Sequence, residues 1–316
     1  MKKIVATVFA VLLLNLSAVD VDKNLKEYKT VTGVSGTLNS VGSDTLNNMM
    51  ALWTEAFKRH YPNVKTQVEG KGSSTAPPAL IAGTSQLGPM SRAMKPTEID
   101  AFEKRYNYKP TNIGVAIDAL AVFVHKDNPI KGMSLKQVDS VFSSTYKRGG
   151  STMVKWGELG LKGSWPTKPL SLYGRNSVSG TYGYFKKVAL KKGSFKKTVK
   201  EQPGSSAVVN SISSDMSAVG YSGIGYKTAG VRALPLSLSG TNYKKPSMAN
   251  CLNKSYPLSR VLWLYVNKKP GKKVDKLTHE FLKFILSKEG QEIVAKDGYF
   301  PLPAVICEKY KTLLEK

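Results

Sequence analysis

Apolar and polar positions in the first third of the chain repeat one order of elements twice. A strand-like stretch at 38–42 leads through a polar loop into apolar residues at helical spacing, namely Leu46, Met49, Met50, Trp53 and Phe57. Tyr61 and Pro62 end that pattern. A second alternating strand at 64–68 leads through the polar loop 70–75 into a brief helix. This order predicts an α/β fold with a parallel sheet whose loops meet at the strand ends.

The rest of the chain continues the alternation. The predicted strands are 115–125, 170–174, 218–221 and 260–266, and the predicted helices are 97–106, 135–142, 182–190, 208–212, 274–286 and one starting near Ser287. Asp118 interrupts the most apolar of these strands. Because a charged group in mid-strand needs a partner, Asp118 marks a crossing between domains, a partner for a basic group, or a capped or solvated carboxylate at an edge.

The N-terminus has the form of a secretory signal peptide. Lys2 and Lys3 precede an apolar run at 4–14, and the small residues Ser17 and Ala18 follow. The run is too short to span a membrane. We expect a signal peptide at 1–18, cleavage near Ala18, a polar leader at 19–37 and a soluble exported protein; a retained N-terminal anchor is the alternative.

Charge adds one constraint on the partner. Lys and Arg number 47 against 22 Asp and Glu, a formal net charge of +25, and 41% of the residues are hydrophobic, as in a globular protein. Such an excess suits nucleic acid, an anionic surface or a small anion. The lysines occur as scattered doublets with no nucleic-acid motif beside them. We therefore predict a solvated basic surface that assists anion capture, and no nucleic-acid partner.

The chain contains two cysteines, Cys251 and Cys307. In an oxidising exported compartment, an isolated pair favours a disulfide over a metal site. Such a bridge would stabilise the fold by about 4 kcal/mol in the chain-entropy model. Two free buried thiols are the alternative.

The stretch 175–181 has the composition of an oxyanion-binding loop. Arg175 can bind two oxygens at once, and Ser179 and Thr181 add hydroxyl donors immediately before a predicted helix. Gly180 lets the main chain approach a ligand, and a helix N-terminus offers unpaired N–H groups and a favourable dipole. An ordinary helix N-cap is the alternative reading of the same residues.

Further loops share this character. Loops 42–45 and 70–75 also place glycine and hydroxyl residues at helix starts, and Ser91-Arg92 adds a polar strand edge. One such loop is commonplace, but several in one chain predict a donor-lined pocket for a tetrahedral anion.

Signatures of an enzyme are weak. The three histidines, His60, His125 and His279, are far apart and lack metal-ligand spacing. Ser177 and Ser179 lack the flanking glycines of a nucleophile elbow. The sequence therefore predicts no enzyme, no metal and no cofactor.

These motifs, in this order, resemble the periplasmic phosphate-binding proteins of phosphate ABC transporters, which are two-domain solute-binding proteins. The similar features run from Val41 to about Pro303: VGSDTL with Trp53 downstream, GKGSS, IDALAVFV, RNSVSGT, AVGYSGIGY, and FILSKEGQ to GYFPLP. The Arg-x-x-x-Ser-Gly-Thr motif is the specific one. The resemblance implies high-affinity binding of inorganic phosphate and its delivery to a membrane-embedded ABC permease. A secreted phosphate-ester hydrolase, or a binding protein for another oxyanion such as sulfate, is the alternative.

The family's fold implies two α/β lobes joined by crossing hinge strands that close over the ligand, the Venus-flytrap arrangement. Lobe 1 would take 38–116 plus 259–316, and lobe 2 would take 117–258. The resemblance also implies a periplasmic monomer.

Position by position, the resemblance implies an anion site formed by both lobes. The expected ligand residues are Ser43, Asp44, Thr45, Ser73, Arg175, Ser179, Gly180 and Thr181, with Ser91 and Arg92 at the same edge. Family members place an aspartate in the loop after Gly88, where it accepts the proton of phosphate and repels sulfate. A serine at this position does not impose that charge penalty. Either Asp44 takes over the acceptor role, or Arg92 pairs with Asp44 or the ligand.

Overall fold

A computed structural model describes residues 20–316, and the predicted signal peptide lies outside them. The first elements are β1 (Gly36–Val41), α1 (Asn47–His60), β2 (Val64–Glu69), α2 (Ala76–Ala82), β3 (Gly88–Met90), α3 (Pro96–Tyr106) and β4 (Thr111–His125). The middle elements are β5 (Met133–Ser134), α4 (Leu135–Phe142), β6 (Ser171–Arg175), α5 (Gly180–Val188), β7 (Lys200–Gln202), α6 (Ser205–Ser213), β8 (Ala218–Gly223), β9 (Val231–Ala233), β10 (Leu236–Ser237) and α7 (Met248–Leu252). The last are β11 (Ser259–Val266), α8 (Lys276–Ile285), α9 (Lys288–Lys296) and α10 (Ala304–Glu315). The α/β class is confirmed.

The sheet is mixed, so the expectation of a parallel sheet is only partly right. β1 pairs parallel with β2, and β6 pairs parallel with both β7 and β8. The largest sheet has the order β3-β11-β4-β8-β6-β7, with β9 also on β4, and here β4 runs antiparallel to β11, β8 and β9. Hydrophobic period identified β1, β2, β4, β6, β8 and β11 but missed the short strands β7 and β9, and it carries no information on strand direction.

Strand β4 runs through both parts of the molecule, the part that contains β11 and the part that contains β8 and β9. Its residues 111–119 pair with β11, whereas residues 120–125 pair with β8 and β9. The strand is buried along most of its length, which explains its continuous apolar sequence. Asp118 lies opposite Arg260 of β11, close to the point where the pairing partner changes.

Two large hydrophobic cores flank this crossing. The first core contains buried residues between Leu25 and Ala116 together with those between Leu262 and Leu314. The second core contains buried residues between Ala119 and Leu258, plus Phe300. Helix α1 shows why the first forms: Met49, Met50, Trp53 and Phe57 are fully buried on one face. The lobe boundaries at 116/117 and 258/259 stay a prediction.

The leader segment packs on the first core. Residues 20–35 form no helix or strand, yet Leu25 and Val34 are buried in that core. The Tyr28 hydroxyl lies 2.7 Å from that of Tyr61 and donates to Glu280 Oε2 at 2.9 Å. Among residues 20–316, no helix combines the length and apolarity needed to cross a membrane.

The predicted disulfide is not formed, and the alternative of two free buried thiols holds instead. Cys251 lies in the second core and Cys307 in the first. Burial raises the pKa of each thiol to about 12, so both stay protonated at neutral pH.

Candidate anion-binding site

The hydroxyl residues predicted from the sequence meet at one place. We call them the hydroxyl cluster: Ser43, Thr45, Ser73, Ser91, Ser179 and Thr181, each at most 3% exposed. Four follow strands β1 to β3, and two begin helix α5 on the other side. Thr45 Oγ1 lies 2.9 Å from Thr181 Oγ1, and the Ser91 hydroxyl lies 3.1 Å from that of Ser43 and 3.2 Å from that of Ser73. Loops that are far apart in sequence therefore converge.

Helix α5 presents its N-terminus to this cluster. Ser179 is the N-cap, and its hydroxyl accepts from the Thr181 N–H at 3.1 Å. Phe185 fixes the helix by stacking on Tyr221 of β8, with ring centroids 3.9 Å apart. The N-cap reading of this stretch is therefore correct, and a capped N-terminus still offers the positive end of its dipole to an anion.

Gly180 lies where the start of α5 approaches Ser73 and Ser91 too closely to leave room for a side chain. A Cβ at this position would lie 2.3 Å from Ser73 Oγ and 2.6 Å from Ser91 Oγ. Its φ is not positive, so contact across the cluster and not backbone strain explains the glycine. The Ser74 N–H reinforces the approach by donating to Val178 O at 3.2 Å.

Arg175, at the end of β6, is 1% exposed and bridges the two parts. Its Nη1 donates to Asp44 Oδ2 at 2.8 Å and to Ser205 Oγ at 2.6 Å, and its Nη2 donates to Pro203 O at 3.0 Å. Its Nε is buried without a hydrogen-bond partner. Burial lowers the pKa of Arg175, and the Asp44 carboxylate opposes that shift.

Asp44 acts in this structure as the partner of Arg175. Its Oδ2 accepts from Arg175 and from both the N–H and the hydroxyl of Ser205, at 2.9 and 2.6 Å. That oxygen already accepts three hydrogen bonds, so an acceptor role for Asp44 toward a ligand proton would fall to Oδ1. Tyr226 and Tyr299 hold the backbone by donating to the carbonyls of Asp44 and Thr45 at 2.7 and 2.9 Å.

Arg92 does not join the cluster. Its guanidinium makes two 2.7 Å contacts with Glu98, at the start of α3, and donates to Ser74 Oγ at 3.2 Å. The suggestion that Arg92 pairs with Asp44 is therefore wrong. A bidentate carboxylate six residues away satisfies the fork geometry of arginine better than a distant anion loop does.

The structure adds Arg260, which the sequence reasoning missed. Its side chain is 2% exposed and its Nη2 lies 2.7 Å from Asp118 Oδ2. It also donates to Ser91 O at 2.9 Å and to Thr181 Oγ1 at 3.0 Å. The interpretation of Asp118 as the partner of a basic group is confirmed. In the sequence, the signal that pointed toward Arg260 was Asp118, an acidic residue in an apolar strand with no evident partner nearby.

The arrangement suits an oxyanion. Six buried hydroxyls, a helix N-terminus and two guanidiniums, each balanced by one carboxylate, offer many fixed donors with little net charge. Within residues 20–316, no group of three His, Cys, Asp or Glu side chains has the geometry of a metal site. The hydroxyls and guanidiniums that are present offer recognition by hydrogen bonds.

Comparison with known proteins agrees with this geometry. The family model of the PBP superfamily domain matches residues 29–289. The phosphate-binding protein PstS of Pseudomonas aeruginosa is 57% identical over 291 residues, which cover 92% of this chain and 90% of that protein. PstS of Staphylococcus epidermidis is 26% identical, with 89% of this chain and 83% of that protein covered. A crystal structure of a phosphate ABC transporter substrate-binding protein from Clostridium perfringens, with bound phosphate, superimposes with a TM-score of 0.71 at 25% identity over 84% of this chain and all of that one. The chain belongs to the PBP superfamily and, within it, to the family of PstS phosphate-binding proteins.

Proposed function

We propose that the protein binds inorganic phosphate at the hydroxyl cluster and delivers it to a membrane-embedded ABC permease for import. The observation that carries the proposal is the convergence of buried donors from both sides of β4 on one place. The names of the Pseudomonas and Staphylococcus relatives and the phosphate bound to the Clostridium protein support the choice of ligand.

Binding of phosphate at this site follows from its donors. Hydroxyls of the cluster and the N-terminus of α5 satisfy the oxygens of a tetrahedral anion, and Arg175 and Arg260, each paired with a carboxylate, add guanidinium donors. Asp44 and Asp118 hold these guanidiniums in place, since they accept two or more hydrogen bonds each. Fixed dipoles replace the hydration shell without a mobile counter-ion.

The protein, like its PstS relatives, is a binding protein and not an enzyme. We propose that all ten predicted residues except Arg92 take part, with Asp44 acting through Arg175. We further propose the lobes 38–116 plus 259–316 and 117–258, export to the periplasm after removal of the signal peptide, and a monomeric state without nucleic acid.

Selectivity is the open chemical question at this site. Ser91 stands where the family resemblance implies an aspartate, and among residues 20–316 its hydroxyl has two hydrogen-bond partners, the hydroxyls of Ser43 and Ser73. A hydroxyl both donates and accepts, so it tolerates a protonated and an unprotonated oxygen alike. We propose that the protein prefers phosphate but discriminates weakly against sulfate.

Titration calorimetry of the mature protein with phosphate tests the function. We expect the wild type to bind phosphate tightly. In Arg175→Ala, we expect binding to be roughly 30- to 1,000-fold weaker, a loss of about 2–4 kcal/mol in binding free energy, because Asp44 loses its partner and the anion loses a donor. The matched control is Arg105→Ala, which removes an exposed guanidinium outside the site. Absence of phosphate binding by the wild type would refute the function, and normal affinity in Arg175→Ala would place the pocket elsewhere.

A further inference from the structure

A wide basic groove opens beside the hydroxyl cluster. It has a volume of about 880 Å³ and runs between the start of α3 and helix α5. Two residues of the candidate site, Ser179 and Arg260, also line it, so the groove and the buried cluster are continuous. Both sides of the molecule contribute walls to the groove.

The charge of the groove is one-sided. Six lining residues are cationic and none is acidic: Arg92, Lys95, Lys186, Lys187, Lys192 and Arg260. The two arginines are paired with Glu98 and Asp118. The four lysines, in contrast, form no ion pair with any carboxylate of the described chain. Three of them are exposed and Lys186 is partly exposed, so their charges face solvent at the mouth of the site.

We propose that these four lysines make the groove a capture surface for divalent oxyanions, which accelerates their arrival at the hydroxyl cluster; this rests on the proposed function. A concave surface carrying one sign of charge focuses the field and raises the local concentration of the opposite ion, which raises association rates. The buried site cannot do this, because each of its guanidiniums is neutralised by a carboxylate. Tight binding and fast capture are therefore performed by different residues.

This division has a kinetic signature. Charges at the mouth act on the approaching anion, so they change the association rate constant kon and leave the dissociation rate constant koff nearly unchanged. The effect is largest at about 10 mM ionic strength, where the Debye length is about 30 Å, and shrinks at about 0.15 M, where it is about 8 Å. Lysines that contacted bound phosphate would instead alter koff.

The test uses radiolabelled inorganic phosphate and the full mature chain. Equilibrium dialysis gives Kd, and rapid filtration after a chase with unlabelled phosphate gives koff; their ratio gives kon without any spectroscopic signal. The test variant carries Lys95→Gln, Lys186→Gln, Lys187→Gln and Lys192→Gln. The control carries Lys58→Gln, Lys65→Gln, Lys269→Gln and Lys309→Gln, which removes four exposed charges outside the groove.

At about 10 mM ionic strength, we expect the groove variant to show kon roughly 3- to 10-fold below wild type with koff unchanged within about twofold. The control should keep kon within about twofold of wild type. Equal losses of kon in both variants would assign the effect to net charge and overturn the proposal, as would unchanged kon or a change confined to koff. Failure of the wild type to bind phosphate would instead refute the proposed function.

Discussion

Asp118 and Arg260 form an ion pair in the interior, directly across strands β4 and β11. The Arg260 guanidinium uses its remaining donors on Ser91 O and Thr181 Oγ1, and Asp118 Oδ1 accepts from the Ile224 N–H at 3.0 Å. Removing one partner of such a pair leaves an uncompensated buried charge, which costs more than the pair contributes. Arg260 thus links the loop after β3 to the start of α5, and its loss affects both stability and the site.

We predict that Asp118→Leu and Arg260→Met each lower the free energy of unfolding by about 3–5 kcal/mol, whereas the two changes combined cost less than either single change. Urea unfolding followed by circular dichroism measures these values. Additive losses in the double variant would show that the two charges do not depend on one another.

Ser91 is the residue at which anion selectivity can be changed. In Ser91→Asp, a carboxylate would accept the proton of phosphate but repel fully ionised sulfate, so we predict that the ratio of phosphate to sulfate affinity rises at least about tenfold. Ser91→Asn has a similar size without the charge and serves as control. Calorimetric competition gives both affinities, and equal ratios in the two variants would contradict the prediction.

Residue-level inference from sequence succeeded where chemistry is local. Hydroxyls and glycine next to a helix start identified the hydroxyl cluster without a structure, because capping and anion binding use the same groups. It failed for Arg260, whose partner lies 142 positions away and whose own strand shows only an apolar pattern. The inference also failed for Arg92. The partner of Arg92 is Glu98, and in the sequence Glu98 looks like an ordinary acidic residue in the first turn of α3.

At the scale of elements, the start of α5 must approach strands β1 to β3 closely. Gly180→Ala leaves the backbone unstrained and improves helix propensity, so the conformation of α5 itself does not oppose the substitution. Its methyl group, however, overlaps Ser73 Oγ and Ser91 Oγ, and the loops must separate.

We predict roughly 10- to 100-fold weaker phosphate binding in Gly180→Ala, with a loss of stability of at most about 1–3 kcal/mol from the overlap. Gly183→Ala is the matched control on the same helix, since its Cβ would meet the Arg92 side chain at ordinary distances, 3.5 Å from Cδ and 3.8 Å from Nε. Calorimetry and thermal unfolding separate the two effects. Equal affinities in the two variants would mean that this approach is not needed for binding.

Hydrophobic period predicted the longer strands and most helices, but it missed β5, β7, β9, β10, α7 and α10, and it did not predict how the strands pair. The helical spacing of Met49, Met50, Trp53 and Phe57 placed α1, and the apolar run placed β4. Strand direction depends on how distant segments return to the sheet, so the antiparallel pairing of β4 with β11 and β8 could not be read locally. The same limit applies to the cysteines, whose separation into two cores is a property of topology.

At the scale of the molecule, the two parts also meet at Asp297, after α9. Asn48 of α1 donates to its Oδ1, and a Cβ on Gly225, which follows β8, would lie 2.6 Å from its carbonyl oxygen. Asp297 Oδ2 is buried and has no hydrogen-bond partner among residues 20–316. Burial raises the pKa of Asp297 to about 6 from the ordinary 3.8, and the hydrogen bond from Asn48 only partly opposes this.

The raised pKa makes the stability of the whole molecule depend on pH. Between about 4 and 6 the folded protein binds a proton that the unfolded chain has released, so the contribution of Asp297 is present below pH 4 and is lost as pH rises through 6. We predict that Asp297→Asn, relative to wild type, gains on the order of 2–3 kcal/mol of stability between pH 4 and 7. Urea unfolding across this range measures the difference, with the exposed Asp100→Asn as control. A difference that stays constant with pH would show that the Asp297 carboxylate is solvated in the folded protein.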